Sequence, residues 1–286
     1  FIGRPGMFGQ RAANFAVQNS DLLISIGTRL SLPQTGYDSK DFARNAKKVM
    51  VDIDKAELEK NTIIADIKVH TDAKKFIRAL QDELKNTNID AENWIKKCNE
   101  WKSKYPIVLP EYKKQKKFVN SYYFTDVLSD ILTERDIIVT DMGIAFQGTH
   151  QAFRVKKGQK FFTNSGLSSM GWGLPAAVGA CIANNKKRVI CIDGDGGLMM
   201  NLQELQTIKH YNLPVKLFVL NNEGYLTIRQ TQEHGFEGRY VGSDEKSGLS
   251  FPDMEKLAKS FGINFKKIDN QDNLHNKVKE AVECKG

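Results

Sequence analysis

The sequence predicts an α/β protein built from two doubly wound parallel-sheet domains. Short apolar runs recur along the chain and end in glycine or in polar residues, as buried parallel strands do. Amphipathic segments lie between these runs, and strands that alternate with helices favour a parallel sheet covered by helices on both faces. A lysine-rich stretch separates one group of strands and helices from the next, so we expect two domains.

The first domain is predicted over residues 1–85, with strands at residues 21–27, 49–53 and 67–69. Thr71 follows the third strand and is predicted to cap a helix. The apolar positions of that helix recur at helical spacing, at Ala73, Phe76, Ile77, Leu80 and Leu84.

Residues 86–118 are predicted to form an interdomain linker with some helix. The stretch is crowded with lysine, at Lys96, Lys97, Lys102, Lys104, Lys113, Lys114, Lys116 and Lys117. Basic runs can bind nucleic acid, but no recognised nucleic-acid motif surrounds these lysines. A solvated linker is the preferred interpretation, and no nucleic-acid partner is expected.

The second domain is predicted over residues 119–286. Helices are expected at residues 121–132 and 252–261, and a glycine-rich turn runs into a helix of small residues over 164–185. Strands are expected at residues 136–140, 161–163, 189–192, 215–220 and 265–268. The chain breaks off at residues 281–286, where a final strand would follow.

Composition narrows the class of protein further. Hydrophobic residues make up 41% of the chain and charged residues 27%, with a net charge of +8, as in a globular domain. No uninterrupted apolar run reaches the roughly 18 residues of a membrane span, so no membrane partner is expected. Cys181 and Cys191 lie in apolar runs and are predicted to be buried thiols. Cysteines without disulfide or metal spacing fit a reducing compartment, and we expect a cytoplasmic location.

Two polar clusters follow neighbouring predicted strands. One is Asp-Gly-Asp-Gly-Gly at residues 193–197, and the other is the asparagine pair 221–222. In a parallel α/β sheet, ligands bind outside the carboxyl ends of the strands, where both clusters fall.

Three interpretations of these clusters are less favoured. An EF-hand loop would need Asp or Asn at Gly197 and Gly at Leu198. A dinucleotide fingerprint would need its third glycine at Met199. A purely structural turn with Asp195 as a helix cap leaves the asparagine pair unexplained.

A metal–diphosphate site accounts for both clusters. Mg²⁺ prefers oxygen ligands and takes some of them from phosphate. The Asp195 carboxylate, the Asn222 amide oxygen and the Gly224 carbonyl are the predicted metal ligands. Gly196 and Gly197 would let the backbone approach an anion. A helix beginning near Leu198 would point its positive end at the site. Its apolar positions would dock it on the sheet, at Leu198, Leu202, Leu205 and Ile208.

These motifs resemble those of a known family. Gly-Asp-Gly at 194–196, followed some 25 residues later by the asparagine pair, resembles the thiamine diphosphate signature. "SGLSSMGWGLPAAVGA" and "GDGGLMMNLQELQTI" are similar to the cofactor-binding domain of acetolactate synthase-like enzymes. "GQRAANFAVQNSDLLISIGTRL" and "KKVMVDIDKAELEKN" are similar to their central domain. The resemblance covers nearly the whole chain and implies a partial central domain followed by a thiamine diphosphate- and Mg²⁺-binding domain.

The resemblance also implies the residues of the site. Met170 would prop the cofactor into a bent shape, and residues 141–147 would form a loop closing over the diphosphate. Phe146 and Gln147 depart from the family pattern in that loop. Arg229 would line the acceptor side of the substrate pocket. The implied cofactor-binding residues are Gly143, Ile144, Ala145, Ser168, Met170, Gly194, Asp195, Gly196, Gly197, Asn222, Gly224, Tyr225 and Leu226.

The implied activity is decarboxylation of a 2-oxo acid with transfer of the acyl carbanion to a carbonyl acceptor, as in an acetolactate synthase-like carboligase. The alternatives are a simple 2-oxo acid decarboxylase and a non-catalytic diphosphate-binding module. FAD is not expected, because the sequence at residues 29–33 departs from the family's FAD-binding run.

No catalytic residue is assigned within this chain. In the resembled family the activating glutamate belongs to an N-terminal domain and acts across a dimer interface. We therefore expect a homodimer or homotetramer, a chain that is inactive alone, and an apolar surface exposed where the missing domain would dock.

Overall fold

The computed structural model describes residues 1–284 and confirms the α/β class. The chain divides into two compact units, one over residues 1–107 and the other from residue 108 onward. Each unit contains its own parallel sheet. The finer boundaries 1–85, 86–118 and 119–286 stay a prediction. The expectation that the chain breaks off before a final strand concerns residues 281–286, of which 285–286 lie outside the described residues.

The sheet of the first unit has the strand order β1-β2-β3. Its strands are β1 Leu22–Ile26, β2 Lys47–Asp52 and β3 Ile67–His70, all parallel and all at predicted positions. Its helices are α1 Arg11–Gln18, α2 Leu32–Thr35, α3 Lys55–Glu59, α4 Ala73–Leu84 and α5 Glu92–Lys104.

The prediction that Thr71 caps α4 is wrong by one residue. Asp72 is the N-cap, and its carboxylate accepts hydrogen bonds from the backbone nitrogens of Lys74 and Lys75. A carboxylate at this position pairs with amide groups that have no partner inside the helix.

Helix α5 occupies part of the predicted linker and packs against α1 within the same unit. The Phe15 ring lies 6.0 Å from Trp101 and 5.0 Å from Tyr105, measured between ring centroids. Cys98, on the same helix, is 3% exposed. The lysine-rich stretch therefore includes a helix with a buried face, which its weak apolar pattern did not indicate.

The sheet of the second unit has the strand order β5-β4-β6-β7. Its strands are β4 Ile137–Thr140, β5 Lys160–Phe162, β6 Val189–Gly194 and β7 Val215–Leu220. Its helices are α6 Pro110–Lys114, α7 Ser121–Ile131, α8 Ile144–Ala152, α9 Gly173–Ala183, α10 Asp195–Met200, α11 Glu204–His210, α12 Leu226–Gly235, α13 Met254–Ser260 and α14 Leu274–Glu283.

Both faces of this sheet are covered, as the doubly wound prediction requires. Along β6, Val189 and Cys191 belong to one apolar cluster, while Ile190 and Ile192 belong to the other. All four side chains are fully buried. Cys181 is also fully buried, which confirms the predicted burial of both cysteines.

Two predicted elements of the second unit are wrong. Residues 265–268 do not form a strand; Ile268 packs against the apolar core and Lys266 pairs with Glu280 on α14, so side-chain packing replaces a strand ladder. The single helix predicted from Leu198 is two helices, because the chain leaves helical geometry at Asn201, whose side chain donates to the Gly171 carbonyl.

No helix within residues 1–284 combines the length and the apolar character needed to cross a lipid bilayer.

Candidate functional site

The candidate site lies at the carboxyl edge of the second sheet. Strands β4, β6 and β7 are parallel, and their carboxyl ends lie at the same edge of the sheet. In the strand register, Thr140 is opposite Ile192 and Gly194 is opposite Leu220. The residues that follow these ends supply the polar groups. Asp141 follows β4, Asp195 follows β6, and the asparagine pair follows β7.

Asp195 joins the ends of β6 and β7. Its side chain is 1% exposed, and its Oδ1 accepts a hydrogen bond from Gly196 N at 2.7 Å. Its Oδ2 accepts from Asn222 N at 2.9 Å and from Gly224 N at 3.3 Å. Burial raises the pKa of this carboxyl group, while the backbone donors act in the opposite direction. The structure therefore brings Asp195, Asn222 and Gly224 together.

The turn Asn222–Gly224 has an unusual backbone. Glu223 has φ of 57° and Gly224 has φ of 154°. A Cβ atom at Gly224 would lie 2.4 Å from the Ser243 carbonyl oxygen, so only glycine fits. Tyr225 N also donates to Ser243 O at 2.9 Å, which ties the turn to the segment after α12.

The Asn222 side chain is oriented by Arg229 on α12. The guanidinium Nη2 donates to the Asn222 backbone oxygen at 3.0 Å and to Asn222 Oδ1 at 3.3 Å. A carbonyl oxygen has two lone pairs, so Oδ1 retains capacity for a second partner.

Met170, Gly196 and Tyr225 form a second contact group at the site. A Cβ atom at Gly196 would lie 2.4 Å from the Tyr225 ring and 3.0 Å from Met170 Cε. The Met170 side chain is 42% exposed. Glycine at position 196 thus creates the space in which these two side chains meet, and Met170 keeps a free apolar surface beside it.

A buried carboxyl pair, Asp141 and Asp193, lies beneath these residues and was missed by sequence reasoning. A Cβ atom at Gly197 would lie 2.2 Å from Asp141 Oδ2 and 2.3 Å from Asp193 Oδ1, so Gly197 is required by the pair. Burial raises the pKa of Asp193 to about 8, aided by the charge of Asp141 and by a hydrogen bond between the two groups. The signal available in the sequence was an acid placed directly inside or after each of two apolar strands.

Asp141 also fixes the turn that carries Met170. Its Oδ1 accepts from Gly173 N at 2.9 Å, and its Oδ2 accepts from Gly171 N at 3.1 Å. The Asn201 side chain holds the same turn through the Gly171 carbonyl at 2.8 Å. The position of Met170 is therefore set by two polar side chains, Asp141 directly after β4 and Asn201 directly after α10.

The predicted loop over residues 141–147 is helical from Ile144 onward, which corrects that prediction. Gly143 is the N-cap, with φ of 69°, and a Cβ atom there would lie 4.0 Å from Thr227 on α12. The Ala145 and Phe146 side chains are 0% and 4% exposed. Their side chains belong to the interior, so only the start of α8 faces the region of α12.

The remaining predicted cofactor residues lie on turns and helix ends. Ser168 has φ of 56° and its hydroxyl donates to the Ser165 carbonyl at 3.2 Å. Gly194 and Tyr225 are the N-cap residues of α10 and α12, and Leu226 begins α12.

The donor set fits Mg²⁺ better than a soft metal. A carboxylate has about four acceptor positions, and three of those on Asp195 are used by backbone donors. Throughout residues 1–284, no group of three or more His, Cys, Asp or Glu side chains is placed to bind a metal. A metal here would therefore need amide, carbonyl and ligand oxygens beside one carboxylate, as Mg²⁺ has in phosphate sites.

Comparison with known proteins agrees with this geometry. The profile of the thiamine pyrophosphate enzyme C-terminal TPP binding domain matches residues 141–286, and that of the thiamine pyrophosphate enzyme central domain matches residues 1–80.

The chain is also similar to curated proteins that are named acetolactate synthases. The acetolactate synthase large subunit of Cyanidium caldarium is 35% identical over 100% of this chain and 48% of the relative. A probable acetolactate synthase large subunit of Methanococcus aeolicus is 37% identical over 99% of this chain and 48% of the relative. Acetolactate synthase 1, chloroplastic, of Nicotiana tabacum is 33% identical over 98% of this chain and 43% of the relative. The chain spans about half the length of these curated relatives, and it belongs to the thiamine pyrophosphate enzyme family.

Proposed function

We propose that this chain binds thiamine diphosphate through a Mg²⁺ ion held by the Asp195 carboxylate, the Asn222 amide oxygen and the Gly224 carbonyl. The observation that carries the proposal is the state of Asp195. It is 1% exposed and, within residues 1–284, forms no ion pair. A buried carboxylate without a cation partner is costly, and a bound divalent cation would offset that cost.

The surroundings of Asp195 support a diphosphate ligand. Its hydrogen bonds to Asn222 N and Gly224 N fix the turn that supplies the other two proposed ligands. The same carboxylate therefore provides one proposed ligand and holds the backbone that carries the other two. Mg²⁺ completes its octahedral shell with phosphate oxygens and water when the protein supplies few ligands.

Met170 is proposed to pack against the rings of the cofactor. Its exposed apolar surface lies beside Gly196 and Tyr225, and the turn that carries it is held by Asp141. Gly143, Ile144, Ala145, Ser168, Gly194, Gly197 and Leu226 complete the proposed cofactor site. The prediction that Arg229 lines the acceptor side of the substrate pocket stays a prediction.

For the whole protein we propose decarboxylation of a 2-oxo acid followed by transfer of the acyl unit to a carbonyl acceptor. Bound thiamine diphosphate supplies the carbon nucleophile and stores the electrons released by decarboxylation. This chain's residues hold the metal, orient the rings and keep the surroundings of Asp195 dry. The relatives are named acetolactate synthases, which supports carboligation over simple decarboxylation. The homodimer or homotetramer that the sequence resemblance implies stays a prediction.

Ligand-dependent unfolding tests the cofactor proposal. At 100 times its dissociation constant, a ligand that binds only the folded state adds about 2.7 kcal/mol to the free energy of unfolding. We expect thiamine diphosphate with Mg²⁺ to stabilise the chain, thiamine diphosphate with EDTA to do so far less, and NAD with Mg²⁺ to have no effect. Equal stabilisation by NAD would indicate a nucleotide-binding module, and no stabilisation by any ligand would contradict the proposal.

A further inference from the structure

We infer that Arg229 is a positioning residue that fixes the turn Asn222–Gly224 through the Asn222 oxygen atoms, which Asp195 does not contact. The inference rests on the proposed function for the identity of the ligand, but the contacts that carry it belong to this chain alone. It assigns Arg229 to the metal-binding turn rather than to the substrate.

The turn needs external support because its backbone is strained. The backbone of Glu223, a residue other than glycine, lies in the left-handed region with φ of 57°, and Gly224 follows with φ of 154°. Glycine adopts such a φ without strain, but a left-handed residue other than glycine persists where neighbouring groups determine its conformation.

Asp195 supplies that support on one side. Its Oδ2 accepts hydrogen bonds from the first and last amide groups of the turn, Asn222 N and Gly224 N. These bonds fix the direction of the N–H groups, but they leave the Asn222 carbonyl and side chain to be fixed by another residue.

Arg229 supplies the second support. It lies near the start of α12, where its backbone N–H donates to Tyr225 O at 2.9 Å. Side chains on a helix tilt toward its N-terminus, which brings the guanidinium to the turn before α12. Its Nη2 donates to Asn222 O at 3.0 Å and to Asn222 Oδ1 at 3.3 Å. Because the guanidinium can only donate hydrogen bonds, the side-chain amide of Asn222 turns its oxygen, and not its nitrogen, toward Arg229.

The position of the guanidinium suits an interior role. Its Cζ lies 3.4 Å from the place of a Cβ atom at Gly224, and its Nε is buried without a hydrogen-bond partner in residues 1–284. Hydrogen bonds from Ser247 lower the pKa of Asp244, and the nearby charge of Arg229 lowers it further. Arg229 therefore lies beside the turn and near Asp244, with its Nε buried.

Binding and exchange measurements test the inference, with Arg229→Met, Arg229→Lys and the control Arg239→Met. Arg239 is an exposed arginine that donates to the Phe236 carbonyl, so the control removes the same charge from the same segment. Arg229→Met is expected to weaken Mg²⁺-dependent thiamine diphosphate binding about tenfold in calorimetry, the loss that fits one charge-assisted hydrogen bond. Arg229→Lys should recover part of the loss, since lysine can still donate to Asn222 O, and Arg239→Met should bind as the wild type does.

Hydrogen–deuterium exchange without any ligand separates this inference from the proposed function. The peptide that spans residues 222–225 should exchange faster in Arg229→Met than in the wild type and in the control. Unchanged exchange together with wild-type affinity would overturn the inference. If the wild type does not bind thiamine diphosphate and Mg²⁺, the proposed function fails, while faster exchange would still support the positioning role. If Arg229→Met does not fold, Arg229→Lys supplies both measurements, with the same expected direction.

Discussion

The two parallel sheets of this chain differ in what they bury. Among residues 1–107, all of which the structure describes, Ser25 is the only polar residue that is buried. The same sheet leaves Leu22, Ile24 and Ile67 exposed by 49%, 37% and 42%. The second sheet buries Asp141, Asp193 and Asp195 at its carboxyl edge.

The comparison indicates where the chain keeps a functional site. Buried carboxyl groups lower stability unless they are paired, and a fourth, Asp136 at the other end of β4, is paired with Arg188 at 2.6 Å. The three acids of the carboxyl edge form no ion pair within residues 1–284. Backbone amide groups donate to these acids, but no cationic side chain compensates them as Arg188 compensates Asp136, which supports a ligand-binding role for that edge.

The largest expected effect comes from Asp195→Asn. The substitution removes the charge that would bind Mg²⁺, and it replaces one of the two accepting oxygens with an amide nitrogen, which cannot accept from the backbone donors. We expect Mg²⁺-dependent thiamine diphosphate binding to weaken at least about 100-fold, equivalent to about 2.7 kcal/mol. Asn222→Ala should act in the same direction with a smaller loss, because a neutral amide is a weaker ligand than a carboxylate.

The matched control for Asp195→Asn is Asp52→Asn at the end of β2 in the first sheet. Asp52 accepts a hydrogen bond from Asp54 N and is partly exposed. Calorimetric titration of the control should give wild-type affinity. An Asp195→Asn variant that binds as tightly as the control would remove the distinction between the two sheets.

The second effect concerns pH. The pKa of Asp193 rises from an ordinary 3.8 to about 8 on folding. Between these values the folded chain retains a proton that the unfolded chain releases, so the free energy of unfolding falls as pH rises, by up to about 1.4 kcal/mol per pH unit. The contribution is complete below about pH 4 and is lost above about pH 8.

Asp193→Asn should flatten this slope. The amide oxygen can still accept from Gly194 N, and the amide N–H can donate to Asp141 in place of the shared proton. Urea denaturation at pH 5 and pH 8, without Mg²⁺ or cofactor, measures the change. The same slope in the wild type and in Asp193→Asn would show that the pair does not hold a proton.

The smallest expected effect comes from Met170→Ala. The methionine has apolar contacts with the cofactor in our proposal and none with the metal, so affinity should fall by a few-fold while the requirement for Mg²⁺ is unchanged. Met7→Ala is the control, since Met7 is 43% exposed and Met170 is 42% exposed, but Met7 lies in the first unit. Equal loss in both variants would contradict the ring contact.

The sequence predicted the strands and the edge of the site well, because both follow from local pattern. The run of apolar residues in β6 and the polar residues after it determine which edge of the sheet is polar, whatever the helices do. Asp195 and Asn222 lie together in the structure for the same reason, while their role as ligands stays a prediction. Their spacing along the chain places them at neighbouring strand ends.

The errors arose where tertiary contacts override local pattern. Asn201 ends a helix because its side chain bonds to Gly171, which is distant in sequence. The buried pair Asp141 and Asp193 was missed because the close approach of Gly197 to both acids, one of them more than fifty residues earlier, is a tertiary contact. Residues 265–268 have the composition of a strand. Instead, Ile268 packs against the apolar core and Lys266 pairs with Glu280 on α14.

The most direct test of the central claim is hydrogen–deuterium exchange of the wild-type chain with Mg²⁺ alone and with Mg²⁺ and thiamine diphosphate. We predict ligand-dependent protection in peptides that contain residues 194–197 and 222–226, with no change at the strand ends of the first sheet. Protection at the end of β2, or none at residues 194–197 and 222–226 under saturating ligand, would contradict the assignment of the site to the second sheet.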